Sequence, residues 1–278
     1  MGAIGKIIVG LMPIAPKFLV KRIAGRYVAG SNLESAIDLM KNMSKEDACF
    51  TIDVLGEEIN DIGEARYFVD EYSRVLELIV SNQINANISL KPTALGLLID
   101  KEVALSNIEE IMKKAALNDI FVRLDMEDHR VTKETIDVVL EMQKKGFENI
   151  GTVLQGRLFR TKEDIAEVSS KLGSLADFRI CKGIYLESRD ISYTKYQEIV
   201  DSTNECIDLM LEMGCYTAVA SHDIPIINHS LEKLSDMGMD IDNDTRDNSA
   251  DSRIGKGPGY EFQFLLGCLL YTSPSPRD

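Results

Sequence analysis

The chain has 278 residues, 45% of them hydrophobic, and a formal net charge of −14. That length accommodates one large α/β barrel or two ordinary domains. The acidity argues against a nucleic-acid groove, and no apolar stretch is long enough to cross a bilayer. Aromatic residues are few and tryptophan is absent, so no base-stacking platform is expected. Cys49, Cys181, Cys206, Cys215 and Cys268 show no CxxC or other metal spacing. They read as reduced, mostly buried thiols of a cytoplasmic protein. With three histidines in the chain, an all-histidine metal site is not expected, and no metal is assigned.

The first thirty residues carry Lys6, Lys17, Lys21, Arg22 and Arg26 with no acid before Glu34. Pro13, Pro16 and Lys17 interrupt the apolar segment, which makes a signal peptide a poor reading. Residues 1–45 are expected to form a helical arm packed on the main body. The alternative is a basic amphipathic surface touching anionic lipid.

From Cys49 onward a short apolar run ends repeatedly in polar or charged residues and is followed by a helical stretch. The runs are CFTIDVLGE (Cys49–Glu57), NISLKP (Asn87–Pro92), VRLDMED (Val122–Asp128), TVLQGRL (Thr152–Leu158), FRICKGIY (Phe178–Tyr185) and TAVASHD (Thr217–Asp223). Buried strands alternating with helices imply a parallel sheet. In a barrel of that kind, chemistry sits at the carboxyl ends of the strands. Strands are predicted at Phe50–Val54, Asn87–Leu90, Phe121–Leu124, Gly151–Leu154, Phe178–Lys182 and Tyr216–Ala220. Ser44, Ser106 and Thr161 each stand three residues before an acid, a spacing that marks helix starts. Gly146, Gly214 and Gly238 suit the position just past a helix end. Ile224–Leu234 is helical by spacing. Asp240–Gly259 is a long polar loop, with room for a short seventh strand element before it, and Tyr260–Leu266 is expected to open a further apolar helix.

Reactive residue types fall at the strand ends. Lys91 ends NISLK just before Pro92, which stops the strand pattern; it reads either as a cation at the barrel mouth, fit for a substrate carboxylate, or as a surface lysine at a loop start. In VRLDMED, alternation puts Arg123 and Asp125 on one face and Leu124 and Met126 on the other. Inward charges of this kind form either a buried network or a site. RICKGIY holds Arg179, Lys182, Gly183 and Tyr185. Gly183 allows close backbone approach to a flat or phosphorylated ligand, two nearby cations suit an anionic cofactor, and Lys182 has the alternative of forming a Schiff base. Gln155 offers an amide that both donates and accepts. His222 and Asp223 end the sixth strand, where a histidine is either structural or a contact for a cofactor.

Taken in order, LKPTALG, RLDMED, VLQGRL, RICKGIY, ASHD and YEFQFLLG resemble the proline dehydrogenase family, of the bacterial monofunctional type, over roughly Thr51–Gly267. Each motif alone is weak; their shared order and spacing are specific. The resemblance implies a distorted (β/α)8 TIM-type barrel that binds FAD and oxidises L-proline to Δ1-pyrroline-5-carboxylate, the first step of proline catabolism to glutamate. Electrons would pass to a quinone at a membrane, and a pyrroline-5-carboxylate dehydrogenase would act downstream. The implied localisation is cytoplasmic, with peripheral contact at the inner face of the membrane as an option. Carried over by motif, Lys91 grips the proline carboxylate and Asp125 orients the cationic groups around the substrate. Met126 and Gln155 contact the flavin, and Arg179 lies near its ring system. Lys182, Gly183 and Ile184 line the FAD, Tyr185 packs close to substrate or flavin, and Ser221 and His222 hold further parts of the cofactor. The chain departs from the family pattern at Ile184, where a small alanine is usual, and at Ser221, where threonine is usual.

Residues 268–278 (CLLYTSPSPRD) break the pattern and resemble the in-frame translation of a transposase-end sequencing adaptor. They are set apart from the barrel, which is assigned to residues 46–267. On this reading the last strand and helix, and the family's paired-arginine motif with them, are missing, and the natural protein continues past Gly267. The 278-residue chain is accordingly expected to be unstable or weakly active. Two other functions stay open beside proline oxidation: a Schiff-base barrel aldolase or lyase using Lys182, and a non-catalytic barrel used for binding.

Overall fold

The structure, a computed structural model, describes residues 33–46, 48–239 and 259–266. The expectations for most of the arm, for Asp47, for the polar loop 240–258 and for the tail 268–278 lie outside those residues. Seven strands form one parallel sheet in sequential order: β1 Phe50–Asp53, β2 Ala86–Leu90, β3 Val122–Leu124, β4 Ile150–Gln155, β5 Asp177–Cys181, β6 Tyr216–Ala220 and β7 Gly259–Gln263. Helix α1 spans Leu33–Met43. Between consecutive strands run α2 Ala65–Asn82, α3 Lys101–Ala116, α4 Thr132–Lys144, α5 Thr161–Leu172 and α6 Tyr196–Glu212, with α7 Ile224–Asp236 between β6 and β7. The sheet curls into a half-barrel, so that the loop after β1 and the loop after β5 meet, Tyr185 Oη donating to Glu57 Oε2 at 2.9 Å.

Each helix buries one stripe against the sheet. In α2 the buried residues Ala65, Phe68, Val69, Tyr72, Val75, Leu76 and Ile79 recur at three- and four-residue steps, the spacing of a single helical face. The outer layer divides into two apolar clusters. One gathers Ile88, Leu90, Val122, Leu124 and Ile150 with α2 and α3; the other gathers Leu154, Phe178, Ile180 and Val219 with α5 and α6.

The opposite strand face is polar. Arg123 and Asp125 do share the inner face, as alternation predicts, but they have different partners. Arg123, fully buried, bonds Asp177 on β5, two strands along, at 2.5 Å and the carbonyl of Thr152 at 3.1 Å. Gly151 lies beside it in the ladder; a Cβ there would come within 2.5 Å of the Asp177 carbonyl. Asp125 belongs to the site described below.

Six predicted strands agree with the structure to within a residue at each end, and Tyr216–Ala220 matches at both ends. Gly146, Gly214 and Gly238 follow helices with φ of 92°, 74° and 67°, as the C′ position requires. Two expectations are corrected. Tyr260–Leu266 opens no helix: Gly259–Gln263 is β7, paired with β6 from Tyr216↔Gly259 to Ala220↔Gln263, its Tyr260 and Phe262 packed on the apolar layer. Ser106 does not start a helix: it lies inside α3, whose start is capped by Asp100 accepting from the amides of Glu102 and Val103. Ser44 does open a short 3-10 helix, Ser44–Glu46, directly after α1, its hydroxyl donating to the Met40 carbonyl. Thr161 does begin α5, but its hydroxyl donates to the Gln155 carbonyl at 2.5 Å and caps nothing in the helix.

Candidate active site

The carboxyl ends of β2, β3 and β5 bring three of the predicted residues into contact. Lys91 Nζ lies 3.3 Å from Asp125 Oδ2, and Arg179 Nη1 lies 2.9 Å from Asp125 Oδ1. Ser89 Oγ, one register step below Lys91 on the same face, donates to Asp125 and accepts from Arg179 at 3.2 Å. Asp53, at the end of β1, completes the cluster through a 2.6 Å contact to Lys91. Two carboxylates therefore face two cations in a partly buried pocket, an arrangement that offsets the cost of desolvating each charge. Burial alone would lower Lys91, but Asp125 and Asp53 outweigh it and hold its ammonium above the ordinary value. The same burial raises the Asp53 carboxyl in spite of Lys91. Lys91 is thus a partly buried, ion-paired residue and not a surface lysine at a loop start.

Tyr72 reaches this cluster from outside the sheet. Its hydroxyl donates to the Ser89 carbonyl at 2.6 Å, lies 3.1 Å from Asp53 Oδ1, and accepts from the Val54 amide at 3.1 Å. It fills the place where β1 and β2 part, and fixes the carboxylate that Lys91 touches.

A second cluster lies at the ends of β4, β5 and β6. Lys182 Nζ contacts Asp223 Oδ2 at 2.8 Å, and Tyr196 Oη donates to Asp223 Oδ1 at 2.8 Å. Ser221 Oγ accepts from the Asp223 amide at 3.0 Å, which shapes the turn holding His222. Gly183 has φ 101°, and a Cβ there would lie 2.4 Å from Gln155 Oε1 and 2.8 Å from Arg157 Cδ. Arg157 in turn bonds the Tyr185 carbonyl. Ile184 is 54% exposed beside this turn, whereas Met126 is buried in the apolar layer. Cys181, on the same inner face as Arg179, has its thiol pushed up to about 11 by burial, which keeps it protonated and poorly nucleophilic.

Several polar atoms here have no partner among the described residues. Gln155 Nε2 donates to the Glu127 carbonyl at 2.7 Å, which leaves the buried Oε1 as an unmatched acceptor. His222 Nε2 accepts from the Leu265 amide at 3.0 Å, so a neutral ring carries its proton on Nδ1, a buried unmatched donor. Arg179 Nε is a further one. Buried groups are rarely left so. One acceptor and two donors along the strand ends fit a large ligand that has both kinds of group, as a flavin has.

Sequence reading passed over Asp53, Ser89 and Tyr72. Asp53 and Ser89 carried a signal, since both stand on the inner parity of their strands. Tyr72 carried none, because its role rests on contacts 17 to 19 residues away in sequence.

A curled parallel sheet with charged residues gathered at its strand ends defines a barrel-type α/β enzyme. The family profile described as proline dehydrogenase matches residues 36–267, and the chain belongs to that family, one of flavin-dependent oxidoreductases. It is 31% identical over 253 residues to proline dehydrogenase 2 of Bacillus subtilis (strain 168), covering 91% of this chain and 77% of the relative. Proline dehydrogenase 1 of the same strain is 35% identical over 204 residues, covering 73% and 66%. The proline dehydrogenase of Deinococcus radiodurans is 31% identical over 214 residues, covering 74% and 67%. Among solved structures, the fold is similar to that of proline utilization A from Bdellovibrio bacteriovorus inactivated by N-propargylglycine, with a TM-score of 0.78 at 22% identity; the match covers 93% of this chain and 30% of that one. A bifunctional proline utilization A protein gives 0.68 at 18% identity, covering 90% and 27%. The chain thus spans less than a third of those larger proteins.

Proposed function

We propose that this protein binds FAD and oxidises L-proline to Δ1-pyrroline-5-carboxylate within a (β/α)8-type barrel. The observation that carries the reading is the contact of Lys91 and Arg179 with Asp125 at the mouth of a proline dehydrogenase fold. Lys91 has three donors and uses two on Asp53 and Asp125; the third is available to a substrate carboxylate. Asp125 holds both cations in place and balances their charge, so that a small zwitterion meets a preorganised pocket. FAD, held there, would supply the two-electron acceptor for the hydride that leaves the ring carbon next to nitrogen. The rate then depends on how closely Lys91, Asp125 and Tyr185 fix the substrate. Gln155, Arg179, Lys182, Gly183, Ile184, Ser221 and His222 would line the cofactor, with the unmatched atoms of Gln155, Arg179 and His222 taking its polar groups; Met126 would support it from the apolar layer.

The reading extends to a quinone as electron acceptor, to a pyrroline-5-carboxylate dehydrogenase as consumer of the product, and to a cytoplasmic enzyme touching the membrane peripherally. No described helix is long and apolar enough to cross a membrane. An aldolase using Lys182 is less well supported: a Schiff-base lysine must reach a substrate carbonyl, and the Lys182 side chain is engaged by Asp223 at 2.8 Å. The test is anaerobic titration of the purified protein with L-proline. The proposal expects a yellow protein whose absorbance near 450 nm bleaches as a cyclic imine accumulates. A colourless protein in which borohydride traps substrate on Lys182 would favour the lyase.

A further inference from the structure

Glu127 is buried to 4% exposure, yet its carboxyl takes both of its hydrogen bonds from one residue. Thr93, just after β2, gives its backbone amide to Oε2 at 3.0 Å and its hydroxyl to Oε1 at 2.5 Å. The Thr93 oxygen also accepts the Glu58 amide at 2.8 Å. Glu58 lies in the loop after β1 with a left-handed φ of 49°, a conformation that a glutamate adopts only when its surroundings hold it. Next to it, Glu57 takes the Tyr185 hydroxyl from the loop after β5. The Glu127 main-chain carbonyl accepts Gln155 Nε2. The loops after β1 and β2 are thereby fastened at the Glu127 carboxyl, the end of β4 at its main-chain carbonyl, and the loop after β5 through Glu57.

We propose that ionised Glu127 is a positioning residue, which through Thr93 locks the loop after β1 in place and so sets Glu57 against Tyr185 across the barrel mouth. The proposal deepens the reading of this site as a proline oxidase, since Tyr185 and Gln155 are assigned there to substrate and cofactor. The physical step is the charge on the carboxyl that holds Thr93. Ionised, it takes the Thr93 amide and hydroxyl in charge-assisted bonds and fixes the Thr93 oxygen under the Glu58 amide. Protonated, it holds Thr93 with neutral, weaker bonds, and the Glu58 amide is held less firmly. Burial, with the Glu57 carboxylate, opposes the charge; Thr93 and the Lys91 ammonium favour it, and the balance is a carboxyl raised to about 7. The lock therefore changes state near neutral pH.

The test is amide hydrogen exchange of the peptide containing residues 54–61, corrected for intrinsic exchange, between pH 6 and 8, in the protein without substrate. Wild type is expected to gain protection at the Glu58 amide as pH rises, by about fivefold, the effect of one ordinary hydrogen bond on an opening equilibrium. Glu127→Gln is expected to abolish that pH dependence, Thr93→Val to lose the protection at every pH, and Thr93→Ser to restore it. Equal protection in wild type at pH 6 and 8, or in Thr93→Val and wild type, overturns the proposal. Because wild type and Thr93→Val carry the outcome, a Glu127→Gln protein that fails to fold does not shelter it. The exchange readout needs no turnover, so a protein that ignores proline but shows the titrating lock refutes the assigned activity and not the lock.

Discussion

Asp125 is the residue on which the pocket turns, because Lys91, Arg179 and Ser89 all meet on its two oxygens. Asp125→Ala leaves two partly buried cations short of an acceptor, and the loss of such a partner costs several kcal/mol locally. Proline turnover is expected to fall by at least about a hundredfold in kcat/KM, a loss near 3 kcal/mol; steady-state kinetics on protein matched for flavin content would measure it, and a loss under threefold would contradict the role. Glu127 makes a prediction about pH. Burial raises its folded carboxyl from the ordinary 4.5 to about 7, so the unfolded chain ionises first. Its contribution to stability is full below about pH 4 and is lost as pH rises through 7, by up to about 3 kcal/mol. Wild type should therefore lose thermal stability relative to Glu127→Gln between pH 5 and 8. Parallel melting curves across that range would count against the raised value. The ionised form locks a loop while costing the whole fold, and these two effects are read by different measurements.

At the scale of elements, two places combine geometry with function. Gly183 follows β5 at φ 101°, and any Cβ there meets Gln155 and Arg157. Gly183→Ala is expected to push Gln155 off the Glu127 carbonyl and to lower bound flavin severalfold, seen as a reduced ratio of absorbance near 450 nm to that at 280 nm. Full occupancy would show that the turn tolerates a side chain. Arg123 and Asp177 tie β3 to β5 in the barrel interior. Breaking one partner of a fully buried pair costs about 3–5 kcal/mol, so Asp177→Asn should lower the denaturation midpoint clearly, with the activity of the folded fraction little changed. Strands were legible in the sequence because each is a short run of largely apolar residues closed by polar or charged ones, as in VRLD and TVLQ. Tyr260–Leu266 misled because Leu265 and Leu266 extend an alternating Y-E-F-Q-F segment into an apolar run that imitates a helix. The hydroxyl-x-x-acid spacing misled at Ser106 because the same spacing arises on the solvent-facing side of a helix interior.

For the whole molecule, the parallel order of strands and the polar inner face followed from alternation and from repeated strand–helix punctuation. The cations and Asp125 were readable because charged residues at strand ends are costly without a purpose. The helix-borne Tyr72 and the Thr93 clasp were not, since each depends on how a helix or a loop closes over the sheet. At the centre of the proposed function stands a cup of strand ends in which Lys91 and Asp125 would hold a small cyclic amino acid against a flavin. Its most direct test is rapid anaerobic mixing of the flavin-loaded protein with L-proline, comparing wild type with Lys91→Met. Wild-type flavin is expected to bleach with saturable dependence on proline, and Lys91→Met to need at least about tenfold more proline for the same rate, the loss of one charge-assisted bond. Unchanged dependence on proline in Lys91→Met, or wild-type flavin that stays oxidised, would contradict it.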